Sequence, residues 1–232
     1  SGMEEILQVV KDKLEDAKRL SGQTLLILSG PTREHLDPVR FIGNPSSGRM
    51  GQALAEEAAH LGAKVQFVTG PVPDDHLPRN QNIKIHSVMG ALEMMDAART
   101  YLQEADAVIY VAAVSDYRPE EMLQEKMPKQ DAEFQLKLIP NPDISATLNA
   151  EKAANTFTIG FALQTDRGEP QARKKLSAKG LDGIVLNYSD SMGAATGHFS
   201  YLGSDKKDFE VWGGINKTDA ARKILAKLPH PL

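Results

Sequence analysis

The sequence predicts an α/β fold in which a mostly parallel sheet carries helices on both faces, and three observations support it. A short apolar run at residues 24–28 fits a strand buried on both faces, and the same reading suits residues 65–68, 83–88, 108–111, 156–161 and 183–186. Helical patterns at residues 48–61, 90–104 and 170–179 fall between them, so strand and helix alternate along most of the chain. The turn after the first run is rich in glycine, serine and threonine and leads into a helix, the arrangement of a Rossmann-like nucleotide-binding domain.

In chain order, residues 4–20 place Ile6, Val9, Val10, Leu14 and Ala17 at helical spacing, and Ser21-Gly22 ends that leading helix. The first strand and the glycine-rich turn follow, then two strand-helix units. Residues 114–142 break the periodicity, and a stretch this long inside a compact domain reads as a functional flap. Asn141-Pro142-Asp143 opens another helix or makes an ordinary cap and turn. After the last two strands, residues 188–214 read as loop plus a late hairpin at 199–202 and 209–212, and a helix at 217–228 closes the chain. No internal repeat or linker divides it, so one domain is expected over residues 3–232, with Ser1-Gly2 before Met3 read as an expression remnant.

Composition narrows the function. With 25% charged residues and a net charge of -4, the chain lacks the basic excess that nucleic acid attracts. No apolar run approaches the roughly 20 residues that span a bilayer, so no membrane association is expected. With no cysteine there is neither a disulfide framework nor a thiolate metal site, and the six histidines lack ligand-like spacing. A reducing cytoplasm is compatible with that inventory.

The first turn, SGPTREHLDPVRFIGNPSSGRMG over residues 29–51, suits an anion. Gly30, Ser46, Ser47 and Gly48 precede or begin a helix whose free N–H groups and positive dipole end favour phosphate. The equal alternative is that Ser46 and Ser47 cap the helix while Gly30 and Gly43 make turns. Familiar fingerprints do not fit: Arg49 and Met50 stand where a P-loop needs lysine and a hydroxyl, and the second strand ends in Thr69-Gly70 without an acid for a nicotinamide ribose.

Further along, VAAVSDYRP places Ala112, Ala113 and Asp116 at the end of a strand, where open α/β sheets bind ligands. Asp116 holds a ribose or a metal, or caps a turn. Lys126, in EKMPK, is a functional or a solvated charge. Phe161, in GFALQT, stacks on a base or closes the core. Lys175 and Lys179, four apart on one helix face, cannot relieve each other's charge and take either an anion or solvent.

In this order the segments TREHLDPVRFIGNPSSGRMG, AAVSDYRP, EKMPK, NPDI, GFALQT, ARKKLSAKGLDGIVLN and GSDKKDFEVW resemble the phosphopantothenate–cysteine ligase family, the synthetase half of the bacterial bifunctional coenzyme A biosynthesis protein. The resemblance spans most of the chain. It implies that the carboxylate of 4'-phosphopantothenate attacks CTP, that pyrophosphate leaves, and that the amine of L-cysteine attacks the acyl-cytidylate. By position Asn44 matches the family's asparagine for the acyl intermediate, where an amide hydrogen-bonds oxyanion charge. Arg40 matches its neighbour, facing substrate phosphate or carboxylate. Lys126 matches the flap lysine that neutralises the triphosphate. Asp116, Phe161, Lys175 and Lys179, with Ala112 and Ala113, match nucleotide-contacting positions. Mg2+ would screen the triphosphate, with metal ligands unassigned.

The family also implies a homodimer in which part of the flap reaches the partner's site. Two positions depart from its pattern, Pro128 after the flap lysine and Gln164 in GFALQT. The flavin-dependent decarboxylase half is absent from this sequence, so a stand-alone synthetase and an excised domain both stay open, as does a separate phosphopantothenoylcysteine decarboxylase as partner. Rival readings are an ATP-using version, a non-catalytic nucleotide-binding homologue and, more distantly, a nicotinamide-dependent reductase.

Overall fold

A computed structural model of the 232-residue chain describes residue 3 and residues 18–129, 133–164, 168–188 and 196–229. Most of the expected leading helix at 4–20 lies outside the described residues, and residues 18–22 form a turn. The strands, in chain order, are β1 (Thr24–Ser29), β2 (Arg33–His35), β3 (Phe41–Gly43), β4 (Lys64–Thr69), β5 (Ile83–Ser87), β6 (Ala107–Tyr110), β7 (Tyr117–Pro119), β8 (Leu138–Pro140), β9 (Phe157–Gln164), β10 (Gly183–Tyr188), β11 (Thr196–Gly203) and β12 (Glu210–Asn216). The helices are α1 (Arg49–His60), α2 (Ala91–Leu102), α3 (Ile144–Glu151), α4 (Gly168–Ala178) and α5 (Lys217–Leu225), with one 3-10 turn at Asp74–His76.

Eight strands form the main sheet in the order β12-β11-β10-β9-β6-β1-β4-β5. The six from β5 to β10 pair in parallel, while β11 and β12 add an antiparallel ribbon at one edge. Counting parallel strands alone, the chain winds outward from β1 to β4 and β5, then crosses back to β6, β9 and β10, the doubly wound order of a Rossmann-like sheet.

The apolar runs explain the sheet. Leu25, Leu26, Ile27 and Leu28 of β1 are all at most 1% exposed, because successive side chains point to opposite faces and both are covered. Leu25 and Ile27 pack with Leu54, Ala55 and Ala58 of α1 and with Ala221 and Ile224 of α5. Leu26 and Leu28 pack with Met94 and Ala98 of α2, Leu148 of α3 and Leu176 of α4 on the other face. Helices therefore cover both faces, as the alternation predicts.

Two small hairpins stand off the main sheet, β2 with β3 and β7 with β8, each antiparallel. The first lies inside the glycine-rich turn and the second inside the irregular stretch, so neither region is the plain loop that its periodicity suggests. Glu34 of β2 ties its hairpin to the fold: its Oε1 accepts the N–H of Ala91 at 3.0 Å. Gly90, the N-cap of α2, supplies no side-chain cap of its own, so Glu34 satisfies an N–H that the helix start leaves open.

Candidate active site

β1 and β6 are neighbours, but the chain leaves them toward opposite edges of the sheet. Their following loops diverge and open a crevice beyond the carboxyl ends of the strands. The loops are stitched together: Pro31 bridges Ala113, the Ala113 N–H donates to the Gly30 carbonyl at 2.8 Å, and the Ser115 N–H donates to Thr32 Oγ1 at 2.9 Å. In the crevice lies a cleft of about 540 Å³ beside a smaller lobe of about 210 Å³. Ala112, Val114, Asp116, Phe161 and Lys175 line both.

The start of α1 forms one end of the larger cleft, which Ser46, Ser47, Gly48, Arg49 and Met50 line. The N-cap is Gly48, in the left-handed region with φ of 73°, and no side chain caps the helix. A Cβ there would stand 2.7 Å from Cγ1 of Val72. Ser46 Oγ accepts the Gly48 N–H at 3.4 Å and does not cap the helix, and a helix start without a side-chain cap suits an anion. The alternative of serine-capped helix is thereby set aside. Gly30, also with positive φ at 71°, makes the turn after β1 and does not line the cleft.

Cations gather at the same end. Arg49 Nε donates to His76 Nε2 at 3.0 Å, and the other ring nitrogen of His76 donates to the Ser47 carbonyl at 2.8 Å. His76 therefore holds both the arginine and the loop that precedes the helix. Lys217, the first residue of α5, lines the cleft too, and burial together with the Arg49 charge lowers its pKa. Sequence reasoning missed Lys217 and took Arg49 only as the residue that spoils a P-loop. The only advance signal was a lysine at a helix start, which usually means a solvated charge.

The smaller lobe lies between the start of α3 and α4. Lys175 Nζ donates to the Phe161 carbonyl at 2.9 Å. Burial lowers its pKa, the Lys179 charge adds to that, and the charges of Asp143 and Asp116 oppose it. Lys179 departs from the expectation of two cations awaiting an anion, because its Nζ reaches Asp143 Oδ1 at 2.8 Å and Ser145 Oγ at 2.7 Å. Asp143 also caps α3 by accepting the Ala146 N–H at 3.1 Å. Burial opposes its ionisation, but Lys179 and the Ala146 N–H bring its pKa below the ordinary value. Asp116 exposes its carboxylate to both lobes, while its carbonyl accepts the Asn141 N–H at 2.8 Å.

Asn44 reaches the cleft from the end of the β2–β3 hairpin. Its Nδ2 donates to the carbonyls of Ala113 at 3.3 Å and Val114 at 3.1 Å. With the amide N–H groups so directed, Oδ1 is the atom presented for a ligand. That polarity is opposite to the oxyanion donor expected of it.

Arg40 and Lys126 do not line either lobe. Arg40 donates from Nε at 2.9 Å and Nη2 at 2.6 Å to Asp37 Oδ2, and its Nη2 also reaches the Met127 carbonyl at 2.6 Å. Lys126 is exposed on the neighbouring flap residue. Among the described residues no three or more of His, Cys, Asp and Glu cluster to hold a metal ion, and no helix is long and apolar enough to cross a membrane.

The family model for the DNA/pantothenate metabolism flavoprotein C-terminal domain matches residues 20–231. The chain belongs to that family. It is 41% identical over 229 residues to a cysteine/cysteine sulfinic acid decarboxylase from an unknown prokaryotic organism, covering 95% of this chain and 63% of that protein. It is 44% identical over 172 residues to the coenzyme A biosynthesis bifunctional protein CoaBC of Vibrio vulnificus, covering 73% of this chain and 42% of that one. The chain thus spans less than two thirds of the length of either relative. Among solved structures, the C-terminal domain of a CoaBC protein superposes with a TM-score of 0.76 at 35% identity, covering 90% of this chain and 95% of that one.

Proposed function

We propose that this domain is a phosphopantothenate–cysteine ligase of coenzyme A biosynthesis, joining 4'-phosphopantothenate to L-cysteine in the cytoplasm with CTP as co-substrate. The observation that carries this reading is the uncapped start of α1 at the switch point of the sheet, with Arg49, Lys217 and Lys175 on the same cleft. That combination suits a polyphosphate. Membership of the CoaBC-containing family and the likeness to CoaBC proteins support the substrates.

A free carboxylate is a poor acylating agent because its leaving group would be oxide. Attack of the phosphopantothenate carboxylate on the α-phosphorus of CTP forms a C–O–P anhydride bond and breaks the bond to pyrophosphate. The amine of cysteine then attacks the acyl carbon, loses a proton, and CMP departs. Asn44 Oδ1, fixed by the carbonyls that Nδ2 faces, accepts an N–H of that amine and aims its lone pair. Lys175, Arg49 and Lys217 balance the phosphate charge, and Phe161 and Lys179 with Asp143 bound the nucleoside lobe. Lys126, on the flap, is the cation assigned to the triphosphate. Asp116 is the carboxylate suited to Mg2+, which is typically held by one or two carboxylates together with substrate phosphates and supplies charge screening.

We further propose that two copies pair through the small hairpins. Phe41 at 45%, Tyr117 at 55% and Met122 at 50% exposure, with Val39, Leu123 and Leu138, lie on the two hairpins and the segment between them. The strands adjoin, and the Leu123 N–H donates to the Leu36 carbonyl at 2.9 Å. Apolar side chains grouped in this way mark an interface.

Mass spectrometry of a mixture of 4'-phosphopantothenate, cysteine, CTP and Mg2+ tests the reaction. The expected products are 4'-phosphopantothenoylcysteine and CMP in equal amounts. Carbon dioxide from cysteine without nucleotide consumption would instead favour the chemistry in the decarboxylase relative's name, and no turnover would favour a non-catalytic nucleotide-binding homologue. Faster turnover with ATP would replace CTP in the account.

A further inference from the structure

Asp37, at the tip of the β2–β3 hairpin, has a side chain that is 0% exposed. Its Oδ1 accepts the N–H groups of Val39 at 2.8 Å and Arg40 at 2.7 Å, which close the hairpin tip. A carboxylate with only this local task would be finished there. Its Oδ2 instead takes the Arg40 guanidinium and, across 90 residues of sequence, the Met127 N–H at 3.1 Å. Arg40 Nη2 completes the grip by donating to the Met127 carbonyl at 2.6 Å. Both backbone polar groups of the residue next to Lys126 are therefore held by one ion pair. Burial opposes ionisation of Asp37, but the three N–H groups and the guanidinium hold its pKa well below the carboxylate range.

We propose that Asp37 is a positioning residue for Lys126: the Asp37–Arg40 pair clamps the flap backbone at Met127 and thereby fixes where the lysine ammonium can meet the phosphates of the nucleotide. This rests on the proposed role of Lys126 at the triphosphate. Pro128, directly after the clamped residue, restricts the backbone on the far side. The clamp and the proline fix the backbone directly after Lys126, so the reach of the lysine is set by that anchored segment. Arg40, expected at a substrate phosphate or carboxylate, acts in this arrangement through the flap.

Hydrogen exchange and a double-mutant cycle test the proposal on the whole chain. Asp37→Asn keeps the shape and removes the charge, while Arg40→Met removes the guanidinium that grips the Met127 carbonyl and leaves the N–H groups that Asp37 accepts in place. Both should raise the exchange rate of amides in residues 123–129 and lower the rate of pyrophosphate release by about 10-fold. The KM for cysteine should stay unchanged. Adding Lys126→Ala to either should cost nothing beyond the loss from Lys126→Ala alone. Losses that multiply would show that Asp37 acts independently of Lys126 and would overturn the proposal, as would unchanged exchange in both variants. A Lys126→Ala protein with full activity and a protected flap would instead overturn the role of the lysine itself, and the positioning role with it.

Discussion

Replacing Lys175 by methionine probes the cleft most sharply, because Lys175 borders both lobes. Methionine keeps a similar volume and removes the charge. The ammonium lies 2.9 Å from the Phe161 carbonyl and is held by no carboxylate at hydrogen-bond distance among the described residues. A hydrogen bond from a charged group contributes about 1.5–3 kcal/mol. The unscreened Coulomb energy of a unit pair about 4 Å apart is about 4 kcal/mol at an effective dielectric of about 20, which sets an upper bound. A loss of about 2–3 kcal/mol is expected, or about 30- to 150-fold in nucleotide affinity. Titration calorimetry with CTP and Mg2+ reads it, and thermal unfolding controls for the fold. Since burial already disfavours this cation, the variant should melt no lower than the parent. Undiminished affinity in a folded Lys175→Met protein would refute the assignment of the phosphates to this cleft.

The same residue gives a pH dependence with a definite sign. Burial holds its folded pKa below the ordinary lysine value of 10.5, so CTP affinity should fall with rising pH before 10.5 is reached. Between the two values the unfolded chain binds a proton that the folded chain has released, so this group's contribution to stability rises with pH there; a lysine contribution that declined over that interval would contradict its burial. Asn44→Ala should retain pyrophosphate release in the presence of phosphopantothenate but lose ligation, and equal loss of both would reject the role of Asn44 in the second step. Gly48→Ala should lower stability to urea by roughly 1–2 kcal/mol, from the left-handed backbone alone, and unchanged stability would mean that the turn is not held as described. Phe41→Asp should convert a dimer into a monomer by light scattering after gel filtration, whereas a persistent dimer would place the interface elsewhere.

What was legible in the sequence follows from the local character of each signal. Parallel strands such as Leu25 to Leu28 declare themselves because both faces are buried and no polar residue interrupts the run. Ala112, Ala113 and Asp116 were identifiable as cleft-lining candidates because open sheets bind ligands beyond the carboxyl ends of their strands, whereas Phe161, placed at a strand end by the sequence, lies within β9, which continues to Gln164. The two hairpins left no such trace: β2, β3, β7 and β8 are three residues each, and Phe41, Tyr117 and Leu138 on them are exposed, so no alternation develops. Partnerships formed by topology were equally hidden. Lys179 finds Asp143 36 residues away, Arg40 meets Met127 across 87, and Lys217 joins Arg49 only because α5 packs beside α1. Side-chain chemistry was readable at each of these positions, but its direction was not.

The central claim is that an acyl-nucleotide forms before cysteine enters. Pyrophosphate release, measured with each substrate omitted in turn and with CTP set against ATP, tests it most directly. The account predicts release that needs 4'-phosphopantothenate, prefers CTP, and gives a first turnover without cysteine. Release that requires cysteine from the first turnover, or no release with either nucleotide from folded protein, would contradict it.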